Sequence, residues 1–140
     1  MTNEVGFVFV ASADSSAVAY RFHQHGEWIN ENCHVSEIME GGVILKCTRK
    51  DLENLKFLYC LCNCNIITMP SPCKRDDVVA ICDDEGLLKP YPTIAPYQPR
   101  GYEDGFICGD VIYALTNGEE NFPFPQLIDL LQFIAEDLRC

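Results

Sequence analysis

Val78-Val79-Ala80-Ile81-Cys82-Asp83-Asp84-Glu85-Gly86-Leu87-Leu88-Lys89 is the most informative stretch of this 140-residue chain. Its first five residues are apolar on both alternating faces, the composition of a central strand of a sheet. Asp83-Asp84-Glu85-Gly86 forms the turn that ends it, rich in the residue types that accept tight backbone geometry.

Working upstream, Ile66 to Met69 reads as a short strand stopped by Pro70-Ser71-Pro72. Thr48 suits an N-cap and Asp51 stands three residues on, the spacing of a capping box. Leu52, Leu55, Tyr59 and Cys62 then recur at helical intervals, so Arg49 to about Cys62 is expected to be one helix. Arg49 and Lys50 in its first turn oppose the helix dipole, so another interaction should offset them. Gly41-Gly42 breaks the chain before a buried strand at Val43-Ile44-Leu45. Glu4 to Ala11 is a strand of β-forming residues ended by Ser12, Asp14 and Ser15. Ala17 to Ile29 holds neither period and reads as partial strand or short helix.

Downstream, four prolines between Pro90 and Pro99 exclude a helix or central strand and require an ordered loop. Phe106 to Leu115 returns to strand, interrupted at Gly109-Asp110, and Asn117-Gly118 signals a turn. Pro125 suits the start of a last helix, about 125–138. Its apolar face is expected from Leu127, Leu131, Ile134 and Leu138, flanked by Leu130 and Ala135. Phe133 falls among Gln126, Asp129, Gln132, Glu136 and Asp137, and is read as covered by a loop. The expectation is an α+β fold: a single compact domain over residues 1–140, with a mixed β-sheet and two main helices, about 49–62 and 125–138.

Composition sets the outer limits. A chain of this length suits one domain, because separate cores rarely appear below about 200 residues. Its 48% hydrophobic and 22% charged residues are ordinary for a folded protein and too apolar for disorder. No apolar run reaches the roughly 18 residues that suggest a membrane span. The net charge of −11 argues against direct nucleic-acid binding through phosphates. That charge is uneven: residues 1–75 carry a net −1 and residues 76–140 a net −10. The acids cluster at turns, Asp76-Asp77, Asp83 to Glu85, Glu103-Asp104 and Glu119-Glu120, as on a folded acidic face.

The chain has nine cysteines, an odd number, and several lie inside apolar runs where the thiol behaves as a small hydrophobe. Val5 to Val10 is too short for a secretory core, and Glu4 stands where a cationic segment should precede it. No Asn-x-Ser/Thr acceptor occurs. These features point to an intracellular, reducing location such as a host cytoplasm, with a virion as the alternative.

Two constellations bear on metal chemistry. Cys60, Cys62 and Cys64, with Cys73 nine residues on, could hold zinc only if a tight turn at Asn63 gathered the thiolates. In extended chain Cys60 and Cys64 lie about 13 Å apart. In a helix Cys62 points away from the other two. His23-Gln24-His25 with Glu27 would line one face of a strand as a two-histidine, one-carboxylate set, but a solvated polar segment accounts for it better. No nucleophile elbow, phosphate loop or dinucleotide fingerprint is present. Adjacent carboxylates at Asp83 to Glu85 are of the solvated turn type. No enzyme class and no cofactor follows from the residues.

Residues about 66–115 resemble domain-of-unknown-function family 3846, of phages, mobile elements and large viruses. The shared pattern is the apolar strand Val78–Cys82, the acidic turn with Gly86, then Leu87. Pro90 to Arg100 stands for the proline-containing loop, and Ile107-Cys108-Gly109-Asp110-Val111-Ile112 for the later strand. The Asn-Arg pair usual in that loop does not occur as such. The resemblance implies a viral or mobile-element accessory protein and imports no activity.

Together these readings favour a non-catalytic protein that acts by contact with a protein partner, with no membrane role. The expected contact residues are Asp83, Asp84, Glu85 and Gly86 of the turn and Tyr91, Tyr97 and Tyr102 of the loop, because tyrosines give large contact area at little entropy cost. Truncating Asp83 to Glu85 is expected to leave folding intact. A zinc-stabilised structural module and a nucleic-acid mimic that inhibits a basic protein are the alternatives.

Overall fold

A computed structural model of the chain describes residues 4–70, 72–102 and 105–140. The acidic pair at 103 and 104 therefore lies outside the described residues. The sheet is built on β1 (Val5–Ala11), which pairs antiparallel with β3 (Gly42–Thr48) on one side and β7 (Val111–Thr116) on the other. Beyond β3 lies β2 (His34–Met39), and beyond β7 lies β5 (Val78–Asp83), followed by the two-residue β4 (Ile67–Thr68). Every described ladder is antiparallel. Val78–Cys82 thus sits one place in from the edge, with β1 and β7 at the centre.

Helix α1 (Ser15–His23) connects β1 to β2, and α2 (Arg49–Leu52) with α3 (Leu55–Cys62) follows β3. The strand order β2-β3-β1-β7 with these two crossovers is a split β-α-β arrangement, into which β4 and β5 are inserted before β7. Helix α4 (Leu127–Asp137) comes last. Three two-residue strands complete the chain: β6 (Gln98–Pro99) pairs with β9 (Leu138–Arg139), and β8 (Asn121–Phe122) pairs with β7. No helix among the described residues is long and apolar enough to cross a membrane.

Pleating explains the doubly apolar strands. Val8 and Val10 of β1, Val79 and Ile81 of β5 and Ile112 of β7 face a core filled by Phe22, Phe57, Leu58 and Leu61 from α1 and α3. Phe9, Val78, Ala80 and Tyr113 point the other way, into a second core with Phe124, Leu130 and Phe133. A sheet covered on both faces needs apolar residues at every position, which is what β5 shows.

The α+β class holds, and its helices need correction. The expected helix 49–62 is two: the Thr48–Asp51 capping box starts α2 as expected, and Asn54 caps α3 by accepting from the Lys56 N–H at 3.0 Å. Leu55 is exposed, so it does not join the buried face. Arg49 is offset as anticipated, by ion pairs to Glu4 and Glu120 and by stacking over the Phe122 ring. In the stretch 17–29, where the pattern fits partial strand or short helix, the helix is what forms: α1 starts at Ser15, is capped by Asp14 and turns Tyr20 to solvent. In α4 the buried face is Leu130, Phe133 and Ile134, while Leu131 is exposed. The ring of Phe133 sets that rotation by packing 5.6 Å from Tyr113 and 5.7 Å from Phe124.

Candidate functional site

The expected contact residues gather at one end of the sheet, where β5 runs out at Asp83. The Asp83 carboxylate is only 6% exposed; it accepts from the Glu85 N–H at 2.9 Å and lies 3.6 Å from Lys89 Nζ. It therefore fixes the turn and is not a free contact group. The Asp84 N–H donates to the Ile66 carbonyl at 3.0 Å, leaving the side chains of Asp84 and Glu85 outward. Gly86 is buried, and a Cβ there would lie 2.7 Å from the Cys108 carbonyl oxygen. Its role is close packing of the turn against the residues preceding β7.

From Gly86 to Leu88 the chain makes one 3₁₀ turn, closed by the Leu88 N–H on the Glu85 carbonyl at 2.9 Å. Residues 87–94 are then exposed without a break, because the prolines deny this segment any regular structure that would bury its side chains. Leu87 is 65% exposed, Leu88 79% and Tyr91 91%. The segment is tied down again where the Gly109 N–H donates to Thr93 and the Ala95 N–H to Ile107.

Past that point the loop turns inward. Both amide hydrogens of buried Gln98 are used, on the Ala95 and Ile107 carbonyls at 2.8 Å, and its amide oxygen accepts from the Ile107 N–H. The Tyr97 ring stands edge-on to Phe9 at 5.2 Å, and its carbonyl accepts from the Tyr113 hydroxyl at 3.1 Å. Tyr102 packs on the second core. Of the three tyrosines expected in the contact, only Tyr91 is presented; Tyr97 and Tyr102 close the sheet. Leu87 and Leu88 were not among the expected residues. The signal for them is a pair of leucines caught between a turn and a proline run, with no helix or strand to hide them.

Beneath the loop is a cavity of about 500 Å³ whose wall includes Ser12, Arg21, Cys62, Asp83, Lys89 and Asp110. Its charges are spent on one another. Arg21 pairs with Asp110 at 2.6 Å and donates to the Cys60 and Leu61 carbonyls at 3.0 and 3.2 Å, which caps the C-terminal end of α3. The cavity joins α1, the end of α3 and the turn.

No family model, curated protein or solved structure matches the chain.

The other constellations separate. Asn63 does adopt a left-handed turn (φ 52°) after α3, and it brings Cys62 beside Cys64. Cys73, however, packs with the second core, with the sheet between it and Cys62. Among the described residues no three metal-ligating side chains gather. His23 ends α1 with Nδ1 on its own Ala19 carbonyl, and His25 stacks on Trp28 at 4.3 Å, so His23, His25 and Glu27 do not share a strand face. The acidic turns divide between opposite ends of the sheet: Asp76, Asp77, Glu119 and Glu120 beyond the start of β5, and Asp83 to Glu85 with Asp110 beyond its end. Asp77 is held below the usual carboxylate range by the two hydrogen bonds it accepts from Arg75.

Proposed function

We propose that this chain acts by protein–protein contact through residues 84–94. It is read as an accessory protein of the viral or mobile-element type that the resemblance over 66–115 implies, working inside a cell without catalysis. The observation that carries the reading is the exposure of Leu87, Leu88 and Tyr91 in sequence beside the outward carboxylates of Asp84 and Glu85. Apolar anchors on a loop tethered at both ends lose little entropy on docking, and an acidic border favours a partner groove with a basic rim. The division of the acids between two ends of the sheet favours this local contact over mimicry of a nucleic acid.

The test compares affinity capture by the wild-type chain, by Leu88→Asp with Tyr91→Asp, and by Asp84→Lys with Glu85→Lys. The partner recovered by wild type is then purified and titrated. Each double variant is expected to weaken binding by about tenfold or more, the scale of losing one anchor or one charge pair. The charge variant alone should also lose the salt dependence of the wild type. Equal binding by all three proteins overturns the proposal.

A further inference from the structure

Cys62 is the last residue of α3 and Asn63 follows in the left-handed conformation. The Asn63 N–H donates to the Cys60 carbonyl at 3.3 Å and the Cys64 N–H to the Tyr59 carbonyl at 3.1 Å, the paired bonds of a Schellman ending. This reversal sets the side chain of Cys64 beside Cys62, packed against the core in which Cys62 is buried. The two thiols differ in surroundings. Cys62 is buried and its Sγ donates to the Ile81 carbonyl of β5 at 3.4 Å. Cys64 is half-buried and lines an open cleft of about 470 Å³ beside Arg21, Lys56 and Lys89.

We propose that Cys62 and Cys64 form a dithiol switch that closes to a disulfide in response to hydroperoxide, with Cys64 as the attacking sulfur and Cys62 as the resolving one. The inference does not rest on the contact reading above. The Cys62 thiol, which donates to the Ile81 carbonyl, also stands next to Cys64. Turned toward Cys64 it favours the thiolate there, with help from the Ile66 N–H and Lys89, and draws that thiol below the ordinary cysteine range against burial and Asp83. The same contact, with burial, holds Cys62 protonated. An accessible thiolate backed by a protonated, adjacent thiol is the arrangement of a redox-sensing pair.

The chemistry closes on these atoms and the peroxide. The Cys64 thiolate attacks one peroxide oxygen; the S–O bond forms, the O–O bond breaks, and the departing oxygen leaves as alcohol, or as water from hydrogen peroxide, after taking a proton. The Cys62 sulfur then attacks Cys64 Sγ, the S–S bond forms, and the S–O bond breaks, releasing water with the proton of Cys62. Two thiols lose one electron each and the peroxide gains both.

The test uses the full reduced chain. In brief labelling with N-ethylmaleimide at neutral pH, Cys64 is expected to react about tenfold faster than Cys60, which lies on the same segment at similar exposure and is pushed up by burial. After hydrogen peroxide, intact mass should fall by two hydrogens, fragmentation should place the bridge between Cys62 and Cys64, and dithiothreitol should restore both thiols. Cys60→Ser should leave this unchanged. Cys62→Ser should stop at a Cys64 sulfenic acid that dimedone traps. The inference is overturned if Cys64 labels no faster than Cys60, if the wild-type bridge involves Cys60 or Cys82, or if Cys64 oxidises without Cys62 being consumed.

Discussion

Gly6 shows how one position can be set from far along the chain. Phe7 and Phe124 exchange backbone hydrogen bonds at 2.8 Å in each direction, which draws the Phe124 carbonyl onto the α-carbon of Gly6. A methyl group there has nowhere to go, so Gly6→Ala is expected to cost about 1–3 kcal/mol of stability, read as a lower urea midpoint. Gly26→Ala, where a Cβ meets nothing, is the matching control and should move the midpoint little. Thr48→Ala removes the acceptor for the Asp51 N–H at 3.1 Å and should cost about 1 kcal/mol by the same measurement. The two cases divide by range. The Thr48–Asp51 cap could be read from the sequence because both partners lie within three residues, whereas nothing near Gly6 announces Phe124. The carboxylate of Asp83 is similar: its turn is legible, but its burial against Lys89 is not, so truncating it should loosen the turn.

At the scale of elements, periodicity located α4 and misjudged its rotation. Leu127, Leu131, Ile134 and Leu138 make as good a stripe on paper as the one used, and only the aromatic neighbours on β7 and at Phe124 decide between them. Phe133→Ala should therefore cost about 3–5 kcal/mol, while Leu131→Ala, on the exposed side, should cost under about 1 kcal/mol. Thermal or urea unfolding of the two variants checks the order. Helix α1 stayed open between strand and short helix because Tyr20 and the residues after it mix exposed and buried aromatics, and strand β2 was not legible because its bulge between Val35 and Glu37 breaks the alternation. The loop from Gly86 to Pro99 was legible by its prolines and turn residues. Its inward and outward halves were not, since Gln98 and Tyr97 find their partners only across the second core.

Over the whole molecule, the thiols couple stability to alkali. Burial, with Asp51 nearby, pushes Cys33 up to about 12, and burial with acidic neighbours pushes Cys73 and Cys82 up to about 11, from an ordinary 9.0. Between those values the folded chain holds protons that the unfolded chain releases, so stability should fall as pH rises from about 9 toward 12. These groups add no slope near neutrality, because both states are protonated there. Urea midpoints measured across about pH 7 to 11 should be level at first and then decline. The sheet's two borders have a further consequence. One is β2, bulged and carrying exposed Ser36 and Glu37; the other is β4, two residues long. Neither offers a straight ladder on which another chain could continue the sheet, so fibrillar stacking is discouraged at its usual starting points. Self-association of this protein should then proceed through side chains, and crowding alone should not seed cross-β growth from the native state.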